Sequence, residues 1–293
     1  MTGRMGLRRW STGGAALLMA AALAACGTDD DGGEDTTAAG STETTENTET
    51  TESTETTGTT ESGSGDVDAF CSAVVDVETL SSQGPPVDPE TAPPEELEAA
   101  MLEFSEQLEP SLEEAEETAP EEVSEDVDTL VSQIRQVLET GDDSMLISEE
   151  FLTADAAVDE YMIDNCGYEQ IEATGVDYEY EGLPDTVPAG TVAVTFNNEG
   201  EEVHEIGLVR INEGVTQSIE ELLALPEEEA MSMATFVGVA FADPGQSDTT
   251  FMEMEPGRYA AVCFVPEGTT HIDMPGEGAP HFTLGMVGEF TVE

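Results

Sequence analysis

Four side chains in the last third of the chain are of kinds that bind soft metal ions. His204 stands in NNEGEEVHEIGLVRI, just past a Gly-containing turn, and Cys263 closes the run RYAAVCFVP. His281 and Met286 open HFTLGMVGEFTVE, directly before an alternating segment. A thiolate, imidazoles and a thioether together suit soft or borderline transition metals. Each alone has a plainer role. A single histidine is commonly a surface or satisfied core residue, and a methionine or cysteine is commonly a buried apolar filler. The case for chemistry therefore rests on where the chain is kept and on how its elements gather these groups.

Compartment is read from the first residues. MTGRMGLRRWSTGGAALLMAAALAACG has a basic head (Arg4, Arg8, Arg9) and an apolar run from Ala15 to Ala25. That run is too short to span a bilayer, and head and run together form a secretory signal over 1–25. Leu23-Ala24-Ala25-Cys26-Gly27 resembles a bacterial lipobox, which implies lipid on Cys26 and a chain held on the extracytoplasmic face of the cell membrane. The pair Arg8-Arg9 is a weak twin-arginine feature. Outside the cytoplasm disulfides persist. Of four cysteines, Cys26 goes to lipid, and Cys71 and Cys166 are expected to bridge. Cys263 is left as an odd thiol that asks for a reason.

Charge narrows the partners. The chain carries 66 acidic residues against six basic ones, a net charge of −60. Such a surface repels nucleic acid and anionic lipid head groups. The acid is spread along the whole chain, which fits solubility in salty surroundings better than one basic docking partner.

The elements follow from composition and period. Residues 26–65 hold the lipidated cysteine and a Thr/Glu/Gly/Ser tract without aromatic or large aliphatic residues. Such a tract cannot offset chain entropy, so it is expected to be a disordered tether reaching roughly 35 Å or more. Residues 66–167 show helical periodicity and read as a small bundle. Its first helix carries Phe70, Val74, Val77 and Leu80, with Asp66 or Asp68 as cap. Its second carries Leu97, Met101, Phe104 and Leu108, with Pro110 expected to kink or end it. A third follows Pro120 and stops at Gly141, and a last runs from Phe151 to about Asn165. From 168 to 293 the period shifts to two. VDYEYEGL, GTVAVTFNNEG, EVHEIGLVRI, TTFMEMEPG, RYAAVCFVP and LGMVGEFTVE read as strands, and SIEELLALPEEEAM reads as a short helix. About six or seven short strands argue for a β-sandwich.

Residues 175–293 resemble the cupredoxins, the plastocyanin and azurin group. The resemblance lies in a histidine after an Asn/Gly turn (His204) and in Tyr-x-x-x-Cys at a strand end (Tyr259 to Cys263). It continues with His281 and Met286 with four residues between them, then Gly-Met-Val-Gly and a closing strand. The fold class this implies is α + β: a helical bundle followed by a cupredoxin-like Greek-key β-sandwich. The cofactor it implies is one mononuclear copper, with His204, Cys263 and His281 equatorial and Met286 axial. Rigid strand ends would hold these donors still while the metal cycles between Cu(I) and Cu(II).

One departure stands out. Where plastocyanin-like proteins place a few residues between cysteine and histidine, this chain has FVPEGTTHIDMPGEGAP. That excursion must fold back to bring His281 to Cys263. His271 and Met274 lie within it and rank below the His281/Met286 pair, which fits the strand register. The expected function is a membrane-anchored single-electron carrier serving an unknown redox partner protein, not an enzyme. The chain has no Gly-x-Ser-x-Gly, His-Glu-x-x-His or phosphate-loop motif, and its three histidines cannot build a His-rich centre. The alternatives are copper delivery without redox turnover, with Met231, Met233, Met252, Met254 and Met274 as extra soft ligands, and a metal-free recognition module.

Overall fold

The computed structural model describes residues 64–87, 92–272 and 274–293. The signal, Cys26 and nearly all of the tether lie outside the described residues. Among the described residues, no helix is long and apolar enough to cross a membrane.

Four helices form the bundle: α1 (Ser64–Gln83), α2 (Pro94–Thr118), α3 (Ser124–Thr140) and α4 (Glu149–Asn165). α1 begins ahead of Asp66 and Asp68, so both expected caps fall inside its first turns. α2 opens on Pro94, whose missing N–H costs nothing in a first turn, followed by Glu95 and Glu96 at the positive end of the helix dipole. α3 ends on Gly141, whose φ of 70° lets its N–H reach the Val137 carbonyl. Ser148 caps α4 by accepting from the Phe151 N–H at 3.2 Å.

The expectation for Pro110 needs correction, because α2 runs through it for two further turns. An internal proline removes one ladder bond and costs about 3 kcal/mol. Phe104 and Leu108 before it, and Leu112 and Ala115 after it, are all buried in one core, and their packing offsets that cost so that the helix does not end there. Cys71 of α1 is bonded to Cys166 at the end of α4, closing 95 residues of chain.

Among the described residues nine strands follow, not six or seven. They are β1 (Glu169–Val176), β2 (Glu179–Glu181), β3 (Thr186–Val187), β4 (Gly190–Asn198), β5 (His204–Ile211), β6 (Ala234–Ala242), β7 (Ser247–Met254), β8 (Gly257–Val262) and β9 (Val287–Val292). One sheet has the order β2-β1-β4-β7 and the other β3-β9-β8-β5-β6. The β1–β4 and β3–β9 pairs are parallel. SIEELLALPEEEAM divides into two short helices, α5 (Ile219–Leu223) and α6 (Glu227–Met231), and Ser218 and Glu221 form a capping box on α5.

The two-residue period sorts side chains between three cores. From β4, Val192, Val194 and Phe196 enter the space between the sheets, while Ala193 faces the bundle. From β7, Met252 and Met254 point inward and Phe251 points to the bundle. From β8, Tyr259 and Ala261 point inward, while Ala260 and Val262 lie under Ile219 and Leu222 of α5. Cys263 continues the inward series one residue past β8 and so ends in the inter-sheet core.

Bundle and sandwich meet along β7. Glu78 of α1 accepts from the Thr250 hydroxyl at 2.8 Å and from the Phe251 N–H at 2.7 Å. Asp155 and Asp159 of α4 and Asp248 of β7 lie beside this contact.

Candidate metal centre

His204 begins β5 because the preceding turn is tightly built. Asn198, buried at the end of β4, donates its amide to the carbonyls of Glu202 and Ala242, both at 2.8 Å. Its side-chain oxygen accepts from the Gly200 N–H at 2.9 Å. Gly200 leaves room that a side chain would take. A Cβ there would come 2.5 Å from Asp177 Oδ1 and 2.6 Å from His204 Nε2. The NNEG motif thus sets the ring of His204 by packing as well as by turn geometry.

The long excursion between Cys263 and His281 folds back as a hairpin. Glu267 N–H donates to the Ala279 carbonyl at 2.9 Å, and Gly278 N–H returns a bond to Glu267 at 3.0 Å. His281 N–H then reaches the Val265 carbonyl and Phe282 N–H the Cys263 carbonyl, both at 2.9 Å. The Met286 carbonyl accepts from Cys263 N–H at 3.3 Å, and Met286 N–H donates to His281 at 3.1 Å. The three residues are stitched together through their backbones before any side chain interacts.

Three of the four candidate side chains converge. His204 Nδ1 lies 3.0 Å from His281 Nδ1, and Cys263 Sγ lies 3.4 Å from the same His281 nitrogen. The donor atoms of these three residues all fall within 4.8 Å of one another. His204, Cys263, His281 and Met286 are each 0 % exposed. The rivals stay outside: His271 bridges to Met274 within the excursion, and the Met274 side chain is exposed. Met252 and Met254 serve the inter-sheet core, and Met231 is exposed.

Two carboxylates complete the arrangement. His204 Nε2 is 2.8 Å from Asp177 Oδ1, and His281 Nε2 is 3.0 Å from Glu202 Oε2. A carboxylate accepts, so each Nε2 carries the ring proton and each Nδ1 is left as a lone pair. Neither residue was marked by the sequence. With 66 acids in the chain, nothing in their spacing distinguishes these two.

The electrostatics follow from burial. Desolvation pulls both imidazoles below their ordinary range, against the pull of Asp177 on His204 and of Glu202 on His281. Each ring is therefore neutral near neutral pH. Burial pushes the Cys263 thiol well above its ordinary value, and the nearby Glu205 carboxyl adds to the rise. Burial also tends to raise Asp177, but the hydrogen bond from His204 and those from the backbone of Glu201 and Glu202 hold it below the usual range.

This donor set fits a cation. Two bare Nδ1 lone pairs at 3.0 Å repel each other unless a positive charge lies between them. Two imidazoles and a sulfur select a soft or borderline transition metal over Mg²⁺ or Ca²⁺. A second group, the oxygens of Asp155, Asp159 and Asp248, also lies within 4.8 Å. It holds carboxylates alone, as befits so acidic a chain.

No protein-family model matches the chain, and no curated protein matches it. Solved structures do. Dithionite-reduced auracyanin from Roseiflexus castenholzii is 26% identical, aligned over 43% of this chain and 99% of its own, with a TM-score of 0.29. Auracyanin A, a "blue" copper protein from Chloroflexus aurantiacus, is 21% identical over 43% of this chain and 100% of its own, TM-score 0.29. Reduced rusticyanin is 17% identical over 43% and 80%, TM-score 0.26.

Proposed function

We propose that the sandwich is a copper-binding single-electron carrier. The observation that carries this reading is the convergence of His204 Nδ1, His281 Nδ1 and Cys263 Sγ in one sealed space, reached across a long excursion that folds back. His204, Cys263 and His281 would hold the ion, and Met286 would lie beside it as the fourth donor. Copper bound there would supply one-electron cycling between Cu(I) and Cu(II).

The chain's own residues do the rest. The Cys263 thiol, held protonated by burial, must release its proton when the ion enters. The neutral imidazoles need release none at Nδ1. Strand β5, the end of β8 and the short 3-10 turn His281–Leu284 leading through Met286 into β9 fix the donors from three sides, so little rearrangement would accompany a change of charge. Complete burial of all four side chains keeps bulk water from the ion. The leader, Cys26 and the Thr/Glu-rich tether support placing this carrier on the outer face of the membrane, where a separate redox protein would be its partner.

Purified protein titrated with Cu(II) should bind one equivalent and develop strong visible thiolate-to-copper absorption. Cys263→Ser should abolish the colour. A colourless protein without stoichiometric copper ends the proposal. Tight Cu(I) binding that never gives a reversible Cu(II) signal selects metal delivery instead.

A further inference from the structure

The two carboxylates on the far side of the imidazoles are not accounted for by metal binding alone. We infer that Asp177 and Glu202 are positioning residues that preset both imidazoles for the ion and bias the centre toward its more highly charged state. This inference rests on the copper reading above.

Both carboxylates are themselves held. Asp177 accepts from the Glu201 N–H at 3.1 Å as well as from His204. Glu202 Oε2 accepts from Gly268 N–H at 2.7 Å as well as from His281, and its other oxygen accepts from the Tyr178 hydroxyl at 3.3 Å. Gly268 belongs to the excursion, so one oxygen ties the folded-back loop to the ring it delivers. Tyr178 packs against the His281 ring, with centroids 4.6 Å apart, and edges against His204 at 6.1 Å. Neither ring can turn over without breaking a bond to a braced acceptor.

Two consequences follow. First, each Nε2–H has a fixed acceptor, so both rings keep Nδ1 free and aimed inward whether or not metal is present. Secondly, two negative charges lie one imidazole away from the ion, across rings that are themselves closed to water. Their attraction grows with the charge on the metal, so they stabilise Cu(II) more than Cu(I). Asp177 and Glu202 are only partly buried, with side-chain exposures of 29% and 18%, so the effect is damped but not removed.

The test uses the full chain and the isosteric variants Asp177→Asn and Glu202→Gln. In the metal-free protein, ¹⁵N spectra of the histidine rings should show Nε2 protonated on both His204 and His281. In the copper-loaded protein, each variant should weaken Cu(II) relative to Cu(I) by about tenfold, which raises the reduction potential by about 59 mV per variant. A purely structural role would lower stability and leave the potential unmoved. The inference is overturned if either ring carries its proton on Nδ1 with Nε2 bare, or if neither variant shifts the potential. If the full chain takes up no copper, the parent proposal is lost, and the ring spectra still decide whether the carboxylates preset the imidazoles.

Discussion

Raising the pH should loosen the seam between bundle and sandwich, and Glu78 gives the size of the effect. Burial pushes its carboxyl from the ordinary 4.5 to about 8, against the opposing hydrogen bonds from Phe251 and Thr250. Its neighbours behave alike: burial lifts Asp155 to about 7 and Asp248 to about 8, and Asp159 well above its usual range. A carboxyl raised in the fold is neutral there while its unfolded counterpart is already charged. Its stabilising contribution is complete below the unfolded value and is lost as pH rises through the folded one. For one fully insulated group the loss is about 1.4 kcal/mol per pH unit, or about 4 kcal/mol between pH ~5 and ~8. Glu78 retains some solvent contact, so about 2 kcal/mol is the working figure. Glu78→Gln keeps an oxygen for Thr250 and Phe251 and cannot ionise. Urea unfolding of both proteins across that range should therefore show the variant at least as stable as the parent near pH 8, with a flatter pH dependence. Taking the difference between the two cancels the histidines and the general self-repulsion of the chain. Parallel stability curves for the two proteins would refute the reasoning.

Gly175→Ala should destabilise the sandwich by about 1–3 kcal/mol in a thermal melt, as overpacking of a closed core does. The new Cβ would meet Phe196 at 2.6 Å and the Met286 methyl at 3.0 Å, so the copper spectrum should shift as well. Asn198→Ala orphans the carbonyls of Glu202 and Ala242 and should cost about 1–3 kcal/mol, read by urea unfolding. Reducing the Cys71–Cys166 bridge frees a loop of 95 residues and should cost about 2–5 kcal/mol by the same measurement. Cys263 should resist alkylation in the folded, metal-free protein and react once urea opens the core, as mass spectrometry would show.

His204, Cys263 and Met286 were legible at strand ends, which show as changes of period, whereas His281 opens a short 3-10 turn ahead of β9 and was picked out by the resemblance. The bundle was legible from its apolar faces. Three strands were not, the shortest being the two-residue β3. β1 reads EQIEATGV, where small and acidic residues replace the branched ones that mark a strand, and it is held by parallel pairing to β4. β6 follows α6 without a turn motif, and its residues ATFVGVAFA read equally well as buried helix. Pro110 misled because local propensity was set against a core that only the tertiary contacts of Leu108 and Leu112 reveal. Asp177 and Glu202 were invisible for another reason: their meaning depends on a ring orientation that no spacing encodes.

Sealing four donors behind a hairpin has a kinetic cost that affinity does not express. With His204, Cys263, His281 and Met286 closed to solvent, an ion could arrive or depart only when part of the surrounding structure opens, and the excursion, bonded through its backbone to Cys263 and His281, is one wall that opening would break. On the proposed copper reading, residence tied to this wall would follow its opening rate, which hydrogen exchange at the Glu267 and Gly278 amides would time. A chelator added in excess should not strip the protein faster than those amides trade their protons.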